Sequence, residues 1–358
     1  MCTRHHRHSI FCILPPHILR NIAHKGNAKE REWALQTLAT DQTFRAMRAA
    51  GGPAESPVTR AMRAGVAPEG QKQRAIYDAK STSTLPGKLV RGEGQKASGD
   101  VAVDEAYDGL GATWDLFWEV FNRDSIDDEG LPLVATVHFG KKYDNAFWNG
   151  SQMVFGDGDG DLFNRFTVSL DVIGHELTHG VTEDEAQLVY MYQPGALNES
   201  MSDVFGSLVK QYKLKQKADK ADWLIGAGLL SDKVNGVALR SMKAPGTAFD
   251  DPILGRDPQP AHMKDYVRTF DDNGGVHINS GIPNHAFYQL ATALGGYAWE
   301  KAGRIWYETL KDARLRRNSG FRRFATLTVS NARRLYGTAS AEQKAVIAAW
   351  KAVGIAVT

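Results

Sequence analysis

The stretch DVIGHELTHGVT, residues 171–182, sets two histidines and a glutamate inside an otherwise mostly apolar run. On a helix, positions four apart share a face, so His175 and His179 present both imidazoles to one point. Glu176 is rotated by about 100° from His175 and lies beside that point rather than at it. Two neutral nitrogen ligands with a carboxylate next to them form the HExxH pattern of metal-assisted hydrolysis. Two ordinary helical histidines would read the same way, so the motif alone decides nothing. A third ligand would decide it, and that requires a second helix packed on the first.

The segment GALNESMSD supplies one. Glu199 follows His179 by 20 residues, and Asp203 follows Glu199 by four. Met201, Val204, Phe205, Leu208, Val209 and Tyr212 form the apolar stripe of a buried helical face around them. A glutamate in such a face is costly unless it is paired or binds a metal. His175, His179 and Glu199 then make a two-histidine, one-glutamate set with a fourth position open to water, the pattern of catalytic rather than structural zinc. Asp203, one turn on, is placed to accept from the far nitrogen of His175, and Asn198 adjoins Glu199 as a second supporting group.

Hydrolysis of an amide at such a site needs a base and donors for the oxyanion that forms. Glu176 suits the first role. In FDDNGGVHINSGIPNHAFY, His277 follows a glycine-rich turn and Asp272 sits five residues before it. A loop-held histidine oriented and charged by Asp272 suits the second role, and Tyr190 is a further hydroxyl donor. The competing assignment for His277 is a plain turn histidine.

The chain is long enough to build two lobes and an appendage around this site: 358 residues, 42% of them hydrophobic. A net charge of +2 makes no case for a nucleic-acid partner. The charge is uneven, however. Residues 1–78 carry 12 Lys or Arg against 6 Asp or Glu, leaving +6, and the remainder is −4. A basic front segment lying on an acidic body follows. Cys2 and Cys12 are the only cysteines, so the body holds together without disulfides. No run approaches a membrane span. The apolar patch SIFCILPP is short, ends in two prolines and reads poorly as a secretion signal, which leaves a cytoplasmic precursor and leaderless export both open. His5, His6 and His8 read as a flexible basic leader.

A helix is expected over 30–49, then strands at KLV, LPLVATVHF and SQMVFG with turns between them as far as residue 168. Beyond residue 170 the pattern turns helical, with later helices at 285–294, 301–312, 321–335 and 341–352. The expected fold class is α+β. A β-rich lobe at 79–180 ends in the zinc helix, a helical lobe follows at 181–358, and the cleft lies between them. The stretch KQRAIYDAKSTSTLPGKLVRGEG reads as an exposed link and a place for a proteolytic cut.

Four segments, NAFWNGSQMVFGDGD, DVIGHELTHGVT, GALNESMSDVFG and NGGVHINSGIPNHAFY, resemble the thermolysin-like zinc metalloproteases (peptidase family M4) in order and spacing. The resemblance covers roughly residues 80–355. It implies a two-lobed monomeric endopeptidase with one zinc ion held by His175, His179 and Glu199, Glu176 as general base, and Tyr190 and His277 stabilising the transition state. Asn145, the backbone of Ala146 and Trp148 would hold a peptide as an added strand. Arg240 would grip the carbonyl just beyond the cut. Phe163, Phe166, Val172 and Leu239 would line the pocket for the residue after the cut, implying cleavage before Leu, Phe, Ile or Val.

The chain departs from the family where the best-known members bind paired calcium ions. Asp171 and Asp222 remain, but Lys210, Leu224 and Ala227 stand where glutamates are expected. Too few oxygens are left for two hard cations, so calcium is not expected there, and Lys210 is expected to pair with the remaining acids. In GDGDGDLF, Asp157, Asp159 and Asp161 alternate like the start of a calcium loop, but the twelfth position is Val168, so a tight turn is expected.

CILPPHILRNI at the start of a short basic stretch resembles the propeptide of the protealysin-like branch, implying a latent precursor with residues 1–78 over the cleft and self-removal near Asp78 to Lys80. Cys12 either reaches the zinc as a thiolate or packs as a small apolar side chain. Two rivals remain. A zinc exopeptidase would need a group for a free terminus, and a catalytically silent zinc-containing binding protein would have no use for Glu176, Tyr190, Asp272 and His277.

Overall fold

The helix carrying HELTH is buried because it lies between a sheet and a bundle. The computed structural model describes residues 11–49, 57–64 and 68–358, so the three histidines of the leader lie outside the described residues. The front part consists of β1 (Phe11–Cys12), α1 (Pro16–Lys25), α2 (Ala28–Ala49) and α3 (Pro57–Ala64). The first lobe follows with β2 (Arg74–Asp78), β3 (Lys88–Gly92), α4 (Val101–Phe121), β4 (Leu133–Val137), β5 (Ala146–Trp148), β6 (Met153–Phe155) and α5 (Leu170–Glu185). The second contains α6 (Tyr192–Leu214), a small ladder of β7 (Leu224–Ile225) and β8 (Arg240–Ser241), then α7 (Asp272–Asn279), α8 (Gly281–Leu294), α9 (Ala302–Leu310), α10 (Phe321–Tyr336) and α11 (Ala341–Ala352). The α+β, two-lobed expectation holds. Among the described residues, no helix is long and apolar enough to cross a membrane.

Six strands form one sheet in the order β1-β5-β6-β4-β2-β3. The strands expected at KLV, LPLVATVHF and SQMVFG are β3, β4 and β6. The expectation of strands and turns throughout 85–168 fails at α4. Its two glycines and its Val, Trp and Phe content weaken a helical signature. Gly109 is there for packing: a Cβ on it would stand 2.3 Å from Cδ1 of Ile173, so the bare backbone lets α4 lie against α5. Asp100 caps the helix, accepting from the N–H groups of Ala102 and Val103.

The boundary expected at residue 78 does not coincide with a structural one. β2 is an interior strand, parallel to β4 over five residue pairs and antiparallel to β3. Ile76 is wholly buried. Arg74 donates to Glu93 and to the hydroxyl of Tyr107 on α4, Leu133 N–H donates to the carbonyl of Gln73, and Lys72 pairs with Asp115. Residues 72–78 of the segment read as an exposed link are thus part of the body, and residues 80–84 are exposed.

The front part docks by burial more than by charge. Ile13, Leu14, Ile18, Leu19 and Ile22 join the main apolar cluster of the body. Among the described residues, an ion pair from Arg20 to Asp271 crosses to the body; it is solvent-exposed, and such pairs contribute about 0–1 kcal/mol. Among the buried polar contacts, an acid of the front, Asp41, accepts from Tyr143 Oη at 2.5 Å and from Asn145 Nδ2 at 2.9 Å.

Candidate active site

Three polar side chains meet at the face where α5 packs on α6. His175 Nδ1 lies 2.7 Å from Asp203 Oδ1, and His179 Nδ1 lies 2.8 Å from Asn198 Oδ1. Both acceptors are oxygens, so both rings carry their proton on Nδ1 and turn an Nε2 lone pair inward. Those two Nε2 atoms face each other at 3.0 Å, a repulsive arrangement that a shared cation would relieve. Oxygens of Glu199 lie 3.5 Å from each of them. Zinc bonded at 2.0–2.1 Å in a tetrahedron separates its ligand atoms by about 3.3–3.4 Å, so the set has the right size. Glu199 Oε2 is buried with no hydrogen-bond partner. His175, His179 and Glu199 are the one group of metal-type ligands among the described residues. Burial, then the neighbouring His175, holds His179 well below its ordinary pKa, which keeps the ring in the neutral form a metal needs.

Asp203 anchors the arrangement. Besides His175 it accepts from Arg240 Nε at 2.9 Å, Arg240 Nη2 at 2.8 Å and Asn284 Nδ2 at 2.8 Å. Burial alone would raise its pKa, but Arg240 and His175 bring it well below the carboxylate range. Asn284 was not singled out from the sequence, although it lies in the quoted IPNHAFY segment.

Glu176 is wholly buried beside this cluster. Its Oε2 accepts from the backbone N–H of Trp148 at 3.0 Å, and its Oε1 has no hydrogen-bond partner. Burial, then Glu199, pushes it well above the usual carboxylate range. The peptide N–H of Trp148, rather than its indole, is what reaches the site.

His277 and Tyr190 close the far side. Asp272, Asn273, Gly274 and Gly275 run at φ of 52, 52, 85 and 75°, a left-handed turn that two glycines allow at low cost. The turn brings Asp272 back onto His277: Oδ1 lies 2.7 Å from Nδ1, and Oδ2 accepts from the backbone N–H at 2.9 Å. Burial opposes a charge on His277, but Asp272 and then Glu199 raise its pKa above the ordinary value. Tyr190 Oη donates to Glu199 Oε1 and lies 3.2 Å from His277 Nε2.

The front part occupies the groove as a strand. β1 pairs antiparallel with β5, Cys12 opposite Phe147. Ile13 N–H donates to Ala146 O at 3.2 Å, Leu14 N–H to Asn145 Oδ1 at 3.0 Å, and Arg240 Nη1 to Ile13 O at 3.1 Å. Ile13 is wholly buried in the apolar cluster that includes Phe163, Phe166, Val172 and Leu239.

The Cys12 carbonyl, not its thiol, meets the site, 3.0 Å from His277 Nε2. Of the two alternatives for Cys12, the thiolate on zinc does not fit this placement and the packed apolar side chain does. On a strand, successive side chains point to opposite faces, and Cys12 packs with Phe139, Tyr143, Phe147 and Val154. Burial, then Asp41, pushes its thiol well above its ordinary pKa and disfavours the thiolate.

Lys210 Nζ donates to Asp171 Oδ2 at 2.6 Å, Asp222 Oδ2 at 3.2 Å and Leu224 O at 2.8 Å. Asp157 meets His138, Asp159 Oδ1 accepts three backbone N–H groups, and Asp161 pairs with Lys233. The GDGDGD carboxylates thus all have partners within the chain.

Comparison with known proteins agrees with this geometry. Residues 64–183 match the model of the thermolysin metallopeptidase catalytic domain, and residues 186–355 that of the thermolysin metallopeptidase alpha-helical domain. The chain is 55% identical to an extracellular metalloprotease of Pectobacterium carotovorum subsp. carotovorum, over 97% of each chain. It is 52% identical to protease PrtS of a Photorhabdus strain, over 96% of this chain and 92% of that one. A solved structure, the precursor of protealysin, a metalloproteinase from Serratia proteamaculans, is 56% identical and superposes with a TM-score of 0.88 over 97% of this chain and 100% of that one. The chain belongs to the thermolysin family of metallopeptidases.

Proposed function

We propose that the chain is a latent zinc endopeptidase that cuts peptides before bulky apolar residues and is held off by its own front segment. One observation carries this reading. A chain segment lies in the groove with its main-chain groups held by Ala146, Asn145 and Arg240, and one carbonyl against His277, directly over three metal-type ligands. A zinc ion bound by His175, His179 and Glu199 would polarise the carbonyl and acidify a water. Glu176 takes the proton of that water through its unpartnered oxygen and passes it to the leaving nitrogen. His277, charged through Asp272, and Tyr190 donate to the developing oxyanion. Asn145, Ala146 and the Trp148 backbone align the peptide. A silent zinc protein would need none of these groups, which favours the enzyme. Removing the front segment with a trace of unrelated protease should release peptide cleavage that a zinc chelator abolishes and added zinc restores. Release without any cleavage would contradict the proposal.

Two further expectations follow. Because β2 and the turns before it are part of the body, a mature chain should begin at or before Pro68, and N-terminal sequencing that found a start at 79–81 would contradict this. The paired calcium site is replaced by the Lys210 ammonium. Burial alone would lower its pKa, but Asp171 and Asp222 outweigh that. A calcium-selective chelator should leave the melting temperature unchanged. Lys210→Ala should destabilise by about 3–5 kcal/mol, because Asp171 is left buried and unpaired.

A further inference from the structure

The direction and register of the segment in the groove matter beyond blocking it. A segment lying backwards, or one presenting a side chain to the metal, offers no bond to cut. Here each main-chain group of Cys12 and Ile13 has a partner suited to one side of a cut. The carbonyl before the bond faces His277 at 3.0 Å. The nitrogen after it donates to Ala146 O at 3.2 Å and also lies against Glu176, the base. The next carbonyl is held by Arg240, and the next N–H by Asn145. The residue after the bond, Ile13, is of the type that the apolar pocket is proposed to take. Leu14 is wholly buried beyond it, and Pro15 and Pro16 stiffen the exit into α1.

We propose that the Cys12–Ile13 peptide bond is itself a substrate, cut in cis before the front segment leaves. This rests on the endopeptidase reading above. The step consumes one water. Glu176 accepts a proton from the water, whose oxygen bonds to the Cys12 carbonyl carbon while His277 and Tyr190 donate to the carbonyl oxygen. Glu176 delivers that proton to the Ile13 nitrogen as the C–N bond breaks, and the second proton of the water follows to the same nitrogen, so that a Cys12 carboxylate and an Ile13 ammonium result.

The two products are held unequally. Among the described residues, the piece ending at Cys12 keeps the two-residue ladder of β1 and the Cys12 pocket, whereas the Ile13 side remains tethered through α1 and α2, with Ile18, Leu19 and Ile22 in the core and Asp41 on Tyr143 and Asn145. The short piece leaves and carries away both cysteines of the chain. The long piece stays as a bound product, so this cut does not by itself free the groove.

The test follows the intact mass of zinc-loaded precursor over time at two concentrations a hundredfold apart. The expected result is loss of residues 1–12 at the same rate in both, with no loss in Glu176→Ala and loss of thiol from the remaining chain. A second readout needs no turnover. In Glu176→Ala, hydrogen exchange at the Ile13 and Leu14 amides should be slowed relative to the same chain carrying Ile13→Asp. The zinc-loaded parent protein, stripped of its front segment, is also assayed on a reporter peptide. If it cuts the reporter while Cys12–Ile13 stays intact in the precursor, the inference is overturned and the endopeptidase reading stands. If it cuts neither, both fall. Unprotected Ile13 and Leu14 amides overturn the register on which the inference depends.

Discussion

Glu176→Gln should fold, bind zinc and lose peptide cleavage by about 10²–10⁴-fold in kcat/KM. Gln has the same shape and keeps an oxygen for the N–H of Trp148, so the groove retains its form. What is lost is the basic oxygen Oε1, which nothing else in the site replaces. Removing a buried carboxylate from beside Glu199 should also leave the melting temperature equal or higher, because burial and Glu199 both disfavour its charged form. The check is kcat/KM on one apolar peptide for both processed proteins, with zinc content and melting temperature measured on the same samples. Activity within tenfold of the parent would remove Glu176 from the role of base.

Asp203→Ala should be the most damaging substitution for the fold near the site, at about 3–5 kcal/mol in denaturant unfolding. It leaves the Arg240 guanidinium buried without its bidentate partner and takes an acceptor from His175 and Asn284. Asp203→Asn keeps the shape but weakens the hold on the His175 tautomer, so zinc affinity should fall about 10–100-fold with a smaller loss of stability. Competition titration with a chromophoric chelator gives the first quantity and urea unfolding the second. If both variants unfold and bind zinc like the parent, Asp203 neither anchors Arg240 nor orients His175.

Much of the site was legible in the sequence because its residues sit at fixed offsets on two helices. The spacing of His175 and His179, and of Glu199 and Asp203, is set by helical pitch, so two packed helices bring the four together without knowledge of any loop. His277 was legible because Asp272 and two glycines precede it, and a left-handed turn uses all three. The substrate groove was read through family resemblance alone, since backbone groups such as the N–H of Trp148 leave no residue-type signal.

What remained hidden has physical causes. α4 was missed because glycines chosen for close approach to α5 look like breakers in the sequence. β2 was read as a link because a short strand flanked by Gly, Lys and Ser gives no periodic pattern, and its burial comes from β4 and β3 on either side. Charge was an incomplete guide to docking. The acid Asp41, on a basic segment, makes one of the buried contacts, and burial raises its pKa to about 6. The side chain of Cys12 could not be aimed at all until its strand register against Phe147 was known.

The central claim is that a zinc endopeptidase groove lies beneath the front segment. The most direct measurement is terminal mapping by mass spectrometry of an unfolded protein incubated with the chain, before and after the front segment is removed, with and without a zinc chelator. Few cuts are expected from the precursor. After removal, many internal cuts are expected whose new N-termini begin with Leu, Phe, Ile or Val, and none when zinc is withheld. Cuts confined to the ends of the chain, cuts indifferent to zinc, or no cuts after removal would contradict it.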